Sequence, residues 1–189
     1  MRILIATAKF GMGHVKVAHA IEEELKELGY DHVDVVDLLE LVLEENADLF
    51  YKGYDAFVNH GGPIFNFYYD RSNETEGDFV AKLLSDTVFR IFKHLIRFNN
   101  PDVYIATHPT CAQLMSYYKR RYNSDIPLVT WITDTHPHSF YINPYTNFYV
   151  GPNERTKEAL LESGIDEDSI YIGGIPVSYT HRRCRRLLT

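Results

Sequence analysis

The chain has 189 residues, of which 45% are hydrophobic and 24% charged, a composition typical of one globular domain that buries a sizeable core. Its net charge is −7, which argues against a general nucleic-acid binder because phosphate contacts need clustered Lys and Arg. No apolar run approaches the roughly 20 residues that span a bilayer and the first residues do not form a signal peptide, so we expect a soluble, cytoplasmic protein.

Strand and helix signals alternate along the chain, which predicts an α/β fold with a mostly parallel sheet. The elements predicted in the first half are a strand over 2–8, a helix over 14–28, a strand over 33–36, a helix over 38–58, an irregular stretch over 59–77 and a helix over 77–97. Those in the second half are strands over 103–106, 127–132, 148–150 and 170–172, a turn at 108–109 followed by a helix that ends at about 122, and a helix over 154–163.

The helix predicted over 77–97 is amphipathic, because its apolar pairs recur every four residues. Its other face holds four cations, Lys82, Arg90, Lys93 and Arg97. Upstream of it lies an aromatic-rich stretch over 51–69. That stretch fits ordinary packing, which composition favours, or an interfacial surface where amphipathic rings meet lipid.

The last twelve residues, 178–189, contain four arginines and no acidic residue. One interpretation is a basic anchor for anionic lipid. The other is a truncation, frameshift or cloning scar that replaces the natural continuation. We favour the second, because no amphipathic pattern accompanies the charges.

Histidines concentrate just after the predicted strands. In open α/β sheets, ligands bind in the crevice beyond the carboxyl ends of the strands. The stretches that follow those ends are 9–14, 107–109, 133–138 and 151–153, and they contain four of the nine histidines. This distribution predicts a polar site at one edge of the sheet.

The glycine loop between the first strand and the first helix is the first candidate site. Gly11 and Gly13 let the backbone approach a ligand, and the helix start offers N–H groups to an anion or polar headgroup. Since the positive helix end disfavours imidazolium, His14 is expected to stay neutral and suited to take a proton from an attacking hydroxyl. A tight turn with a helix-capping histidine is the structural alternative. The loop matches only part of the dinucleotide fingerprint, because Lys16 stands at the third glycine position.

The stretch from Thr133 to His138 is the second candidate site. Asp134 could hold and polarise a histidine or a substrate hydroxyl, and an Asp-capped loop is the structural alternative. Asp134, His136 and His138 are also possible metal ligands, but the cluster lacks an obvious fourth ligand, so no metal is expected.

Two further groups of residues are less specific. His108, between Thr107 and Pro109, could line the same crevice or bond backbone. The two cysteines, Cys111 and Cys184, lack metal-ligand spacing, and a disulfide framework is not expected.

Six short motifs, taken in order, resemble the N-terminal domain of the monogalactosyldiacylglycerol synthase and processive diacylglycerol glucosyltransferase family. They are Ile3 to Ala8, Gly11-Met12-Gly13-His14 with Ala18, Thr107-His108-Pro109, Thr133-Asp134 with His136 and His138, Tyr149-Val150-Gly151, and Gly173-Gly174-Ile175-Pro176-Val177. The likeness covers about residues 1–177.

The resemblance implies a Rossmann-like parallel sheet flanked by helices, the N-terminal half of a two-Rossmann-domain (GT-B) glycosyltransferase. It implies that His14 and Asp134 are catalytic, with His14 the base on the diacylglycerol hydroxyl. It further implies substrate-binding roles for Gly11, Gly13, His108, Thr133, His136 and His138. Its co-substrate would be UDP-glucose or UDP-galactose, with no cofactor, and the region over 51–69 and the helix from 77 would touch lipid at the inner face of the cell membrane.

The resemblance also implies a donor-binding half, which we do not find in this sequence. We therefore expect residues 1–177 to form an acceptor-binding domain that is inactive alone, because inverting transfer needs acceptor, base and nucleotide sugar held together. A non-catalytic lipid-binding subunit that recruits a separate donor-binding chain is the main alternative. A hydrolase or epimerase that uses His14 and Asp134 within one domain is a third.

Overall fold

A computed structural model describes residues 1–9, 12–43, 86–134 and 139–177. Several predictions therefore concern residues outside the described ranges. These are the aromatic stretch over 51–69, the first part of the helix over 77–97, the tail over 178–189, and the candidate site residues Gly11, His136 and His138.

The described part contains one sheet of six parallel strands in the order β2-β1-β3-β4-β5-β6. The strands are β1 (Arg2–Thr7), β2 (His32–Asp37), β3 (Val103–Ala106), β4 (Leu128–Trp131), β5 (Phe148–Gly151) and β6 (Ile170–Ile172). The α/β class and the parallel sheet predicted from the sequence are confirmed. β2 pairs with one side of β1 and β3 pairs with the other side, and β4, β5 and β6 follow in order beyond β3. The strand order therefore reverses between β1 and β3.

Helices connect these strands and cover the sheet. They are α1 (Met12–Glu27), α2 (Leu38–Leu43), α3 (Asp86–Asn99), α4 (Pro109–Tyr122) and α5 (Glu154–Glu162), with 3₁₀ turns at Ser139–Tyr141 and Glu167–Ser169. Of the helix predicted over 38–58, the described part is α2. The helix predicted to end at residue 97 continues to Asn99, and the two 3₁₀ turns were not predicted.

The two faces of β1 belong to two different cores, because successive side chains of a strand point to opposite faces. Leu4 and Ala6 pack with residues of α3 and α4, such as Phe92 and Met115. Ile3, Ile5 and the buried side of α1 form the second core, on the other face. A third cluster, beyond β4, contains Ile132, Tyr141, Tyr149, Leu160 and Ile170. The central strands are thus covered on both faces, as parallel sheets require.

Helix ends are fixed by the residues that the sequence places there. At the end of α1, Tyr30 N donates to Leu25 O and Gly29 N to Lys26 O, a Schellman motif in which Gly29 has a φ of +90°. The predicted glycine stop is therefore confirmed. At the end of α4, Asn123 adopts the left-handed conformation with φ of 47°.

The segment after β6 runs close to the carboxyl edge of the sheet. Trp131 Nε1 donates to the carbonyl of Gly174 at 3.3 Å. A Cβ at Gly173 would lie 2.6 Å from Val150 Cγ1 and 3.2 Å from Trp131 Cζ2. Only glycine therefore fits at position 173 without a shift of its neighbours.

Candidate functional site

The reversal between β1 and β3 brings their carboxyl ends together. In open α/β sheets such a switch point forms the crevice where ligands bind. Thr107 and His108 follow β3, and Thr133 and Asp134 follow its neighbour β4. Residues that lie far apart in the sequence therefore meet at one edge, as the sequence predicts.

His14 reaches this edge from the first turn of α1. Residues spaced four and seven apart share one stripe of a helix, and His14 lies on the stripe of Ala18 and Ile21, which are both buried in the second core. The packing of that stripe on the sheet directs His14 toward the strand ends. Its side chain is half-buried there.

The Nδ1 atom of His14 has two oxygen neighbours. It lies 2.9 Å from the carbonyl oxygen of Thr107 and 2.8 Å from Oγ1 of Thr133. A carbonyl oxygen only accepts, so Nδ1 carries a hydrogen and donates it. In a neutral imidazole the lone pair is then on Nε2, which is the nitrogen able to take a proton.

Two hydroxyl groups join His14 to Asp134. Thr133 Oγ1 lies 3.2 Å from the hydroxyl of Tyr141, and that hydroxyl donates to Asp134 Oδ2 at 2.9 Å. The structure thus brings the two predicted catalytic residues into one network, which is linked through a tyrosine that sequence reasoning did not identify.

Tyr141 is fully buried, with 0% of its surface exposed. Burial raises the pKa of its phenol well above the ordinary value, and the neighbouring Asp134 carboxylate adds to this, whereas hydrogen bonds from Thr133 oppose it. The phenol therefore keeps its proton and serves as a donor. No local pattern marks this residue, because it belongs to a short 3₁₀ turn whose position depends on tertiary packing.

His108 caps α4 and also contacts His14. Its Nδ1 accepts the backbone N–H of Thr110 at 3.2 Å, which is the backbone bond that the sequence allowed as an alternative. The rings of His14 and His108 pack edge to face with centroids 4.7 Å apart. Because Nδ1 of His108 accepts whereas Nδ1 of His14 donates, neutral forms of the two rings hold opposite tautomers. The predicted substrate contact of His108 stays a prediction.

Gly13 lies in the first turn of α1, next to His14. A Cβ at Gly13 would meet no described atom within 4 Å, and its backbone does not have a positive φ. The described part of the fold therefore does not require glycine at position 13. The requirement predicted from the sequence, close approach of a ligand, stays a prediction that a substitution can test.

The metal alternative at 134–138 involves His136 and His138, which lie outside the described ranges. Within those ranges, no three His, Cys, Asp or Glu side chains are grouped as metal ligands. Cys111 is a buried free cysteine, and burial raises the pKa of its thiol well above the usual range.

The sequence profile of the monogalactosyldiacylglycerol (MGDG) synthase family matches residues 14–177. A processive diacylglycerol beta-glucosyltransferase of Staphylococcus epidermidis is 30% identical over 181 residues, which cover 94% of this chain and 44% of the relative. One from Staphylococcus aureus is 29% identical over 180 residues, 93% of this chain and 44% of the relative. The chain thus spans about half the length of the curated relatives it matches.

A solved structure also matches the fold. The apo form of a lipopolysaccharide outer core galactosyltransferase has a TM-score of 0.54 at 9% sequence identity, and the match covers 91% of this chain and 45% of that chain. At this identity the likeness shows the fold alone, that of one half of a two-Rossmann-domain (GT-B) glycosyltransferase. Among the described helices, none is long and apolar enough to cross a membrane.

Proposed function

Because the chain belongs to the monogalactosyldiacylglycerol synthase family, we propose that it forms the acceptor-binding part of an inverting glycosyltransferase that moves a hexose from a UDP-sugar to diacylglycerol. The observation that carries this proposal is the 2.9 Å distance from His14 Nδ1 to the carbonyl oxygen of Thr107. Because that oxygen only accepts, Nδ1 is the donor, and the basic atom of the neutral ring at the strand-end crevice is then Nε2.

In the proposed reaction His14 is the general base. The free hydroxyl of diacylglycerol gives its proton to Nε2, its oxygen bonds to the anomeric carbon, and the bond from that carbon to the phosphate oxygen of UDP breaks. UDP leaves with the electron pair. A positioned base of this kind contributes roughly 10²- to 10⁴-fold to a rate.

The proposed inversion follows from stereochemistry. The relatives are named beta-glucosyltransferases, and the common UDP-hexoses carry an α-linked sugar. An oxygen that attacks from the face opposite UDP gives the β-linkage in one displacement. A single base on the acceptor side is then sufficient, and His14 supplies it among the described residues of the network.

The donor would bind mainly to a second domain, since the chain spans about half the length of its curated relatives. Whether the sugar is glucose or galactose depends on residues of that part. Transfer requires base, acceptor and donor together. We therefore expect the chain of 189 residues to show no transfer on its own, and a measured turnover of UDP-glucose or UDP-galactose onto diacylglycerol would contradict this.

A bilayer contact at the inner face of the cell membrane belongs to the same proposal, because diacylglycerol resides in membranes. Support comes from the surface shared by α3 and α4, which we call the cation–aromatic surface. It comprises the rings of Phe89, Tyr117 and Tyr122 and the cations Lys93, Arg97 and Arg121. Lys93 Nζ lies 4.8 Å from the centroid of the Tyr122 ring, and Tyr117 and Tyr122 are both exposed. Rings and cations side by side suit the interface of an anionic bilayer.

The proposal is tested by binding to two sets of phosphatidylglycerol liposomes. One contains diacylglycerol and the other an equal amount of its 3-O-methyl ether, which lacks the acceptor hydroxyl. We expect tighter binding to the first set, and we expect the difference between the sets to disappear in His14→Ala. Equal binding of the wild-type chain to both sets would contradict an acceptor site at His14, whereas loss of all liposome binding in His14→Ala would indicate a disrupted fold.

A further inference from the structure

We propose that Thr133 and Tyr141 are positioning residues that hold His14 in the Nδ1–H form and couple its ring to the Asp134 carboxylate. This inference rests on the proposed function, since it describes how that base is prepared. It assigns a role to Tyr141 that neither the sequence motifs nor the family resemblance indicated.

The donors and acceptors of the network fit one direction. His14 Nδ1 donates toward Thr107 O and Thr133 Oγ1. The hydrogen of the Thr133 hydroxyl is then available for the oxygen of Tyr141, 3.2 Å away, and the Tyr141 hydroxyl donates to Asp134 Oδ2 at 2.9 Å. An ionised carboxylate only accepts, so it fixes the direction of the whole chain.

This direction matters for proton uptake. When Nε2 takes the acceptor proton, the ring becomes a cation, and each hydroxyl in the network presents its negative end toward that ring. Hydrogen bonds in one direction polarise one another, and the carboxylate at the far end stabilises the charge. The hydrogens on Nδ1, Thr133 and Tyr141 stay where they are, so Nε2 is the only atom that gains a proton.

Tyr141 is held rigidly enough to act in this way. It belongs to the cluster with Ile132, Tyr149 and Leu160, and the 3₁₀ turn that carries it is closed by a bond from Ile142 N to Ser139 O at 2.9 Å. A packed ring with one rotatable hydroxyl loses little freedom when it bonds.

Removing each of the two hydroxyls from the network should affect the His14 tautomer differently. Without the Tyr141 hydroxyl, Thr133 loses the acceptor for its hydrogen and can rotate to donate to His14 Nδ1, which favours the Nε2–H tautomer. Without the Thr133 hydroxyl, Thr107 O still accepts from Nδ1, so the Nδ1–H tautomer remains. The two single substitutions are therefore expected to have different outcomes, although both break the same network.

The test is imidazole ¹⁵N NMR on the 189-residue chain, with the His14 signals assigned by their loss in His14→Gln. The wild-type chain should show mainly the Nδ1–H form. In Tyr141→Phe we expect the ratio of Nδ1–H to Nε2–H to fall about three- to tenfold, the size of one lost hydrogen bond. Thr133→Val alone should keep the wild-type ratio. Thr133→Val combined with Tyr141→Phe should bring the ratio back to the wild-type value.

Tyr149→Phe is the matched control. Tyr149 is buried in the same cluster, and its hydroxyl bonds with the backbone of Asn143 rather than with the network. It should leave the His14 tautomer unchanged while it removes an equally buried hydroxyl. If Tyr141→Phe alone fails to fold, Asp134→Asn provides the second variant. It keeps the shape, removes the charge, and should also lower the tautomer ratio.

An unchanged His14 tautomer in folded Tyr141→Phe and Asp134→Asn would overturn the inference. So would an equal change in Tyr149→Phe. These results do not depend on diacylglycerol, so the failure of this inference is distinguishable from the failure of the proposed function. The latter would appear as equal liposome binding with and without the acceptor hydroxyl, whatever the tautomer of His14.

Discussion

The phenol pKa values of two tyrosines in different regions of the molecule are shifted in opposite directions. Tyr141 is buried at the strand ends, and burial raises the pKa of its phenol well above the ordinary value. Tyr122 is exposed on the cation–aromatic surface, and a hydrogen bond from Lys93 lowers the pKa of its phenol, with Arg121 contributing in the same direction. The same side chain therefore serves as a fixed neutral donor in one region and as a partner of cations in the other.

The comparison separates two tasks within one domain. The strand-end region contains His14, Thr133 and Tyr141 in fixed bonds, as a site needs for a proton transfer. The cation–aromatic surface instead gathers Lys93, Arg97 and Arg121 over the rings of α3 and α4 at 4.8 to 5.9 Å. If this division is correct, substitutions in one region should leave the task of the other unchanged.

The largest expected effect is on sugar transfer. In an assay that also contains a donor-binding domain from a member of the family, His14→Ala should lower the rate of sugar transfer to diacylglycerol roughly 10²- to 10⁴-fold, because a general base is lost. Binding to anionic liposomes without diacylglycerol should not change. A rate within a few-fold of the wild-type value would show that His14 is not the base.

The next effect concerns the cation–aromatic surface. The double substitution Lys93→Ala and Arg97→Ala should weaken binding to phosphatidylglycerol liposomes about tenfold or more, since each cation near an anionic surface contributes roughly 1 kcal/mol. Sedimentation with liposomes at low salt measures this. The matched control is Arg155→Ala, an exposed cation on α5. Equal losses in the control and in the double variant would assign no special role to this surface.

A smaller effect distinguishes the two tyrosines by pH. A group whose pKa is raised in the folded state stabilises the fold fully below its unfolded pKa and loses that contribution as pH rises. Tyr141, with an ordinary value of 10.0, should therefore reduce stability by about 1.4 kcal/mol near pH 11. Tyr141→Phe should reduce the decline at alkaline pH in the free energy of unfolding measured with urea. Tyr122→Phe should not reduce this decline, because the pKa of Tyr122 is lowered rather than raised. The same decline in both variants would contradict the opposite pKa shifts of the two tyrosines.

The smallest expected effect is on stability at Gly13. Since a Cβ there meets no described atom within 4 Å and position 13 lies in the first turn of α1, Gly13→Ala should stabilise α1 by at most about 0.5–1 kcal/mol, the gain that alanine gives in a helix interior. Binding of diacylglycerol should nevertheless weaken if the ligand approaches this backbone. Unfolding and liposome assays on the same variant separate the two. A destabilised variant would mean that glycine serves the fold rather than the ligand.

Much of the fold was predictable because most of the strands are short apolar runs bounded by residues that favour turns. The bounds predicted for β3, 103–106, and for β6, 170–172, agree with the structure. The meeting of His14 with Thr107 and Thr133 followed from the rule that ligands bind beyond strand ends. Local sequence contains these signals, and the parallel sheet brings their residues to one edge.

The role of Tyr141 was not predictable in this way. It lies in the short 3₁₀ turn Ser139–Tyr141. Its hydroxyl meets Thr133 and Asp134 only because the cluster around Ile132 and Tyr149 fixes the ring. Sequence pattern predicts which residues follow strands. It does not predict which side chain closes a hydrogen-bond network, since that depends on long-range packing.

The most direct test of the central claim is the ¹⁵N signal of His14 Nε2 in bicelles that contain diacylglycerol or its 3-O-methyl ether. If the acceptor hydroxyl donates to Nε2, the free hydroxyl should shift this signal, and the ether should leave it as in bicelles without either lipid. The Nδ1 signal should stay that of a donor in all three samples. Identical Nε2 signals with the two lipids would contradict the assignment of His14 as the base of an acceptor site.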